Sequence, residues 1–196
     1  IEGSNLNQRI FAGTNCCGLA FTDDYGDNWL TIPFSTSDQG LSESVIAISA
    51  NSSGTGLLVT TSRVDNGIER PLYHSTNNGD NFEEVFLYNN SVRDLFYFSD
   101  ELIFTSLLEG GLLLMTEIGG FPTMVVSPSI DVLDITVAEC TIYLLGESAN
   151  ISTLISSSNG TDWVEEIEFD FSPSALMTSE EGEVFVLSDQ GTILWS

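Results

Sequence analysis

Four arginines carry all the fixed side-chain positive charge of this 196-residue sequence, which contains no lysine, and three of them, Arg63, Arg70 and Arg93, fall close together in the chain. A guanidinium fork holds a carboxylate or sulfate through paired hydrogen bonds, so such a group can form an anion-binding site. The neighbouring acids Asp65, Glu69 and Asp94 offer a second use for the same arginines, as surface ion pairs. Asp23, Asp24 and Asp27 supply hard oxygen ligands and loosely resemble a calcium loop, although the ligand series of an EF-hand is not present. Calcium is therefore the one ion the sequence suggests, and no other cofactor is expected. Glycoside chemistry would need two carboxylates facing each other about 5 to 9.5 Å apart, a geometry that 29 acidic residues can produce by accident.

Cysteine and histidine add little. Cys16, Cys17 and Cys140 cannot all pair within one chain, which leaves a Cys16–Cys17 vicinal bridge or free thiols, and neither zinc ligand spacing nor a thiol-catalysis pattern is present. His74 is the sole histidine. Asn51, Asn89, Asn150 and Asn159 begin N-x-S/T triplets, which in so Asn- and Ser-rich a chain read first as turn residues.

The balance of 29 acidic against 4 basic residues gives a net charge of −25. Polyanions, nucleic acid and anionic membrane surfaces among them, are repelled by such a chain. No apolar run approaches the ~18 residues of a membrane span, the longest candidate lying around Leu112 to Met115. A solvated acidic surface fits a salty or extracellular setting, where charges are screened beyond about 10 Å.

The elements that must carry these side chains repeat. Thr22 to Trp29 reads TDDYGDNW, Ser75 to Phe82 reads STNNGDNF, TEIGGF begins at Thr116, and Ser156 to Trp163 reads SSSNGTDW. With Ser196, the leading hydroxyls stand at 22, 75, 116, 156 and 196, at intervals of 53, 41, 40 and 40 residues. Each closes a short apolar segment: LAFT, LYHS, LLMT, TLIS and ILWS. Alternation with period two and enrichment in β-branched and aromatic residues predict strands throughout, and no helical period occurs.

The repeated octet resembles the Asp-box, or BNR-type, hairpin, S/T-x-D-x-G-x-x-W, of the β-propellers of sialidases, sortilin-type receptors and photosystem assembly factors. The resemblance covers nearly the whole chain. It implies an all-β β-propeller of about five four-stranded blades at residues 1–34, 45–88, 92–126, 132–169 and 175–196, a single domain over 1–196. The last blade is incomplete, which suggests a piece of a longer chain or a three-stranded final blade. Box one supplies Thr22, Asp24, Gly26 and Trp29; box two Ser75, Asn77, Gly79 and Phe82; box four Ser156, Gly160 and Trp163, with Ser158 at the acid position. In the third, Ile118 holds the acid position, Gly120 is retained and Phe121 falls early. The hydroxyl and acid are expected to bind backbone N–H groups, the glycine to take a positive φ, and the aromatic to pack under the turn.

In such propellers the loops from second to third strand, and from fourth to the next first, share the ligand face. That places Arg63, Arg70 and Arg93 there and Arg9 on the opposite side. The segment Arg63 to Arg70 reads as an insertion in the second blade, and Glu43, Asp94, Asp131 and Asp134 stand near the starts of innermost strands. The sialidase F/Y-R-I-P motif and a tyrosine–glutamate nucleophile pair are absent. The expectation is a non-catalytic binding or scaffolding module for a glycan or protein ligand, secreted or at the cell surface, with a glycoside-acting enzyme as the alternative.

Overall fold

The computed structural model describes residues 2–3, 9–15, 17–32, 34, 44–51, 54–62, 70–99, 101–179, 181–188, 191 and 193–195. Every regular element among them is a strand. β1 (Glu2–Gly3), β2 (Ile10–Gly13), β3 (Leu19–Thr22) and β4 (Leu30–Ile32) form a sheet in chain order, as do β5 (Ser44–Ala50), β6 (Leu57–Ser62), β7 (Arg70–Ser75) and β8 (Glu83–Tyr88). In the third repeat β9 (Val92–Ser99) pairs with β10 (Leu102–Leu107), and β11 (Leu112–Met115) with β12 (Thr123–Val126). β13 (Asp131–Ala138), β14 (Thr141–Ser148), β15 (Ile151–Ser157) and β16 (Val164–Phe169) make a further four-stranded sheet, and β17 (Pro173–Thr178), β18 (Val184–Ser188) and β19 (Ile193–Trp195) a three-stranded one. All these pairings are antiparallel, as connections of two to seven residues between consecutive strands require.

The chain divides into two compact units, Ile1–Leu108 with Met115–Pro122, and Glu109–Leu114 with Thr123–Ser196. In the first, Phe11, Leu19, Phe34, Leu57, Val59 and Tyr73 form a core cluster, with Phe34 stacked on Tyr73 at 4.6 Å and edge-on to Phe82 at 5.1 Å. In the second, Leu145, Leu154, Phe169, Leu176, Val184 and Val186 do the same. Alternation is the cause: on β9, Val92, Leu95 and Tyr97 are buried while Asp94 and Ser99 are exposed.

One feature of the innermost strands was invisible to periodicity. β5, β9, β13 and β17 each carry an extra residue near their start, where the register skips Ile46, Arg93, Leu133 and Ser174 respectively. A bulge bends the strand and re-aims the side chain of the extra residue. Three outer strands are bulged too, at Val85 of β8, Val125 of β12 and Glu166 of β16.

Just past the bulge of β13, Asp134 accepts the Ile135 N–H through Oδ1 at 2.8 Å and the Leu176 N–H of β17 through Oδ2 at 2.7 Å. Burial pushes its carboxyl above the usual range, against the two N–H groups that favour the charge. With the folded value raised, the group favours the fold at low pH, and that contribution fades as pH rises through the folded value. Asp134→Ala leaves the Leu176 N–H without its acceptor and is expected to cost about 2 kcal/mol in urea unfolding. A loss below ~0.5 kcal/mol would show that this clasp contributes nothing net.

Candidate functional site

The repeated turns are built as the residue types require, with one change of register. In the first, the Thr22 hydroxyl donates to Asp24 Oδ1 at 2.7 Å and accepts the N–H groups of Asp24 and Gly26, while Asp24 Oδ1 accepts the Asn28 N–H at 2.8 Å. These bonds, the Thr22 hydroxyl first and the Asn28 side chain and backbone after it, hold the Asp24 carboxyl down at about 2. The second turn repeats the pattern: Ser75 donates to Asn77 Oδ1 and accepts from Asn77 and Gly79, and Asn77 Oδ1 accepts the Asn81 N–H. Consecutive positive φ angles at Tyr25–Gly26 and Asn78–Gly79 turn the chain.

In the fourth turn the anchoring hydroxyl is Ser157, not Ser156. Ser157 Oγ donates to Asn159 and accepts the Asn159 and Gly160 N–H groups, and Asn159 Oδ1 accepts those of Thr161 and Asp162. This turn lacks the residue between acid and glycine, so it has a single left-handed residue, Gly160, and keeps Trp163 half-buried three places on. Ser156 Oγ instead donates to the Glu166 carboxylate. Ser157→Ala is therefore expected to cost about 1.5 kcal/mol and to abolish hydrogen-exchange protection at Asn159 and Gly160. Ser156→Ala should leave that protection intact; the reverse result would restore the original register.

The third turn is an ordinary one, closed by the Gly120 N–H on the Glu117 carbonyl at 3.0 Å, with the positive φ at Gly119 instead of Gly120. Phe121 stands 93% exposed, edge-on to Phe86. The aromatics of turns one and two also part company. Phe82 joins the core of the first unit, as expected, whereas Trp29 is 45% exposed, with its indole Nε1 3.8 Å from where a Cβ on Gly26 would stand.

Arg9, at the start of β2, lies at the turn end as expected, and it is occupied there. Its Nε and Nη2 donate to the two oxygens of Asp23 at 2.7 and 3.1 Å, and its Nη1 donates to Asp80 Oδ1 and the Asn78 carbonyl, both at 2.8 Å. The guanidinium also sits 4.4 Å over the Phe21 ring. Sequence reasoning missed this four-bond joint between turns one and two. Of the calcium candidates, Asp23 is thus engaged by Arg9 and Asp24 by Thr22 and Asn28, with Asp27 exposed beside them. Among the described residues no three potential ligands are grouped to hold a metal.

The other described arginines fall at the opposite strand ends. Arg70 is the first residue of β7, not the end of an inserted loop, and pairs with Tyr88, the last of β8. Four residues beyond Tyr88 the chain enters β9, whose second residue, Arg93, is the bulged one. Both arginines are half-buried. Arg63 lies outside the described residues, as do Asp65, Glu69, Glu43 and Cys16. Cys140 is an exposed free thiol in the tight turn between β13 and β14.

This strand order and sheet pattern are shared with solved structures. The chain is similar to YCF48 bound to D1 peptide, at 14% identity and TM-score 0.64, covering 94% of this chain and 58% of that one. It is similar to an oligogalacturonate lyase from Vibrio parahaemolyticus at 11% identity and TM-score 0.71, covering 98% and 63%, and to the Dos1 propeller at 11% and 0.73, covering 98% and 53%. At such identities the likeness shows the fold alone, and that fold is a β-propeller. The chain spans roughly three fifths of the length of the first two, 58% and 63%. No family model matches it. No curated protein matches it either.

Proposed function

We propose that this chain is an Asp-box propeller that binds rather than catalyses, taking a polypeptide ligand through a carboxylate at the strand ends that carry Arg70 and Arg93. The observation that carries the reading is the division of the arginines. Arg9 lies at the turn end, where Asp23, Asp80 and Asn78 hold it, while Arg70 at the start of β7 and the bulge-borne Arg93 near the start of β9 lie at the other strand ends, in two successive sheets. In a chain of net charge −25, positive groups at the same strand ends select for an anionic partner group. The peptide-bound neighbour is consistent with a polypeptide ligand, and a secreted or surface-exposed setting suits the acidic exterior.

The test is a binding screen of the purified chain on peptides with free or amidated C-termini and on neutral, sialylated and sulfated glycans, with and without calcium. Hits should need a free carboxylate and should weaken at least tenfold in Arg70→Ala/Arg93→Ala, with the thermal transition kept. Hits confined to glycans would replace the ligand class. Hits indifferent to the double variant would remove the arginines from the site.

A further inference from the structure

The outer strand of the first sheet is unlike its counterparts. An outer strand presents unpaired N–H and C=O groups that invite another chain, and proteins blunt such edges with charge and bulges. β8 carries the exposed Glu83 and Glu84 and is bulged at Val85; β16 carries the exposed Glu165, Glu166 and Glu168 and is bulged at Glu166; β12 is bulged at Val125. β4 has neither charge nor bulge, and is blunted only by its three-residue length and by the Pro33 that follows it in the sequence. Its three residues, Leu30, Thr31 and Ile32, are uncharged, and their register against Phe21, Ala20 and Leu19 runs without a shift. Among the described residues its sheet leaves it hydrogen-bonded to β3 alone.

Large apolar side chains collect at the same edge. Tyr25 is 74% exposed, Leu30 62% and Trp29 45%, all within six residues. Trp29 occupies the position at which the turn was expected to bury its aromatic, and turn one holds its hydrogen bonds without that burial. Tyrosine and tryptophan, large and stiff with a polar tip, are the side chains that most often anchor an interface.

We propose that β4 is a docking edge, which takes an extended segment of a partner protein as an added strand, the segment alternating apolar residues with arginine or lysine. The backbone of β4 supplies the ladder, and Tyr25, Trp29 and Leu30 supply the anchors that so short a ladder needs. Charge decides the occupant. A second copy would bring another −25 to the edge, whereas a basic segment meets the exposed Asp27 at its start and two ring faces suited to cation–π contact. This surface is separate from the arginine-bearing strand ends, so either reading can fail alone.

The experiment is selection of a phage-displayed library of random 12-residue peptides on the immobilised chain, followed by fluorescence anisotropy with the enriched peptides. Basic residues alternating with apolar ones should be enriched. Affinity should fall at least tenfold in Trp29→Ser and in Leu30→Lys, stay unchanged in Arg70→Ala/Arg93→Ala, and fall when alternate peptide amides are N-methylated. Circular dichroism on Trp29→Ser checks the fold, which the exposure of that side chain protects. The proposal is overturned if no peptide is enriched, if the peptides are acidic, or if they bind Trp29→Ser as well as the parent. Sedimentation showing a dimer that Trp29→Ser dissolves would give the edge to a second copy instead.

Discussion

Arg9→Ala is expected to lower the unfolding free energy by about 2 to 3 kcal/mol, because one side chain makes four hydrogen bonds to charged or carbonyl acceptors on two different turns. The estimate is held down by solvent. The Arg9 side chain is 12% exposed, but Asp23 and Asp80 are 50% and 63% exposed, so the ion pairs by themselves contribute little. The larger share comes from the Asn78 carbonyl, which loses its charged donor, and from the guanidinium lying on Phe21. Arg9→Lys keeps the charge without the fork that grips both oxygens of Asp23, so it should recover less than half of the loss. Acid removes only the ion-pair share of this. Arg9 holds the Asp23 carboxyl below its ordinary value of 3.8, so that share is complete above that pH and is lost as pH falls through the depressed folded value. The gap between parent and Arg9→Ala should therefore narrow by about 1 kcal/mol or less in urea melts as pH falls below 3.8, and most of it should remain. A gap that closes completely would assign the whole effect to the ion pairs.

The strands were legible because alternation and a period near 40 are local signals: the expected blades 45–88 and 92–126 end where β8 (Glu83–Tyr88) and β12 (Thr123–Val126) end. Turn four was misread since SSSN offers three hydroxyls, and only the side chain of Asn159 decides among them; an acceptor-bearing residue two places after Ser157 was the signal available. The bulges left no trace in the pattern, because one extra residue inside a buried strand looks like ordinary sequence noise. That is why Arg93 could be placed on an end of the blade but not at a bulge. Arg9 was assigned to the correct end and given no role. Its partners lie 14 and 71 residues away, and no rule of local spacing connects them. Trp29 shows the limit of a motif: hydroxyl, acid and glycine are bound to one another by short-range hydrogen bonds, so they form together, while the aromatic answers to whatever tertiary surface adjoins it.

Gly110→Ala is expected to cost about 3 kcal/mol, the sum of ~1 kcal/mol for a left-handed alanine and ~2 kcal/mol for overpacking. Gly110 has φ +88 in the turn after β10, and a Cβ there would stand 2.2 Å from the carbonyl oxygen of Pro128 and 3.0 Å from that of Ile130. Both are backbone atoms, so no rotamer change relieves the contact and the chain itself must shift. Gly111 follows with φ +92, and its N–H donates to the Ile130 carbonyl at 2.7 Å, so the shift would pull on a bond that closes the same turn. Gly191→Ala separates the two contributions. Its φ of +79 imposes the same left-handed penalty, yet among the described residues nothing lies within 4 Å of the added carbon. It should cost ~1 kcal/mol, leaving the difference between the variants as the cost of the backbone collision. Equal losses in the two melts would mean that the turn after β10 yields freely and that the short contact carries no energy.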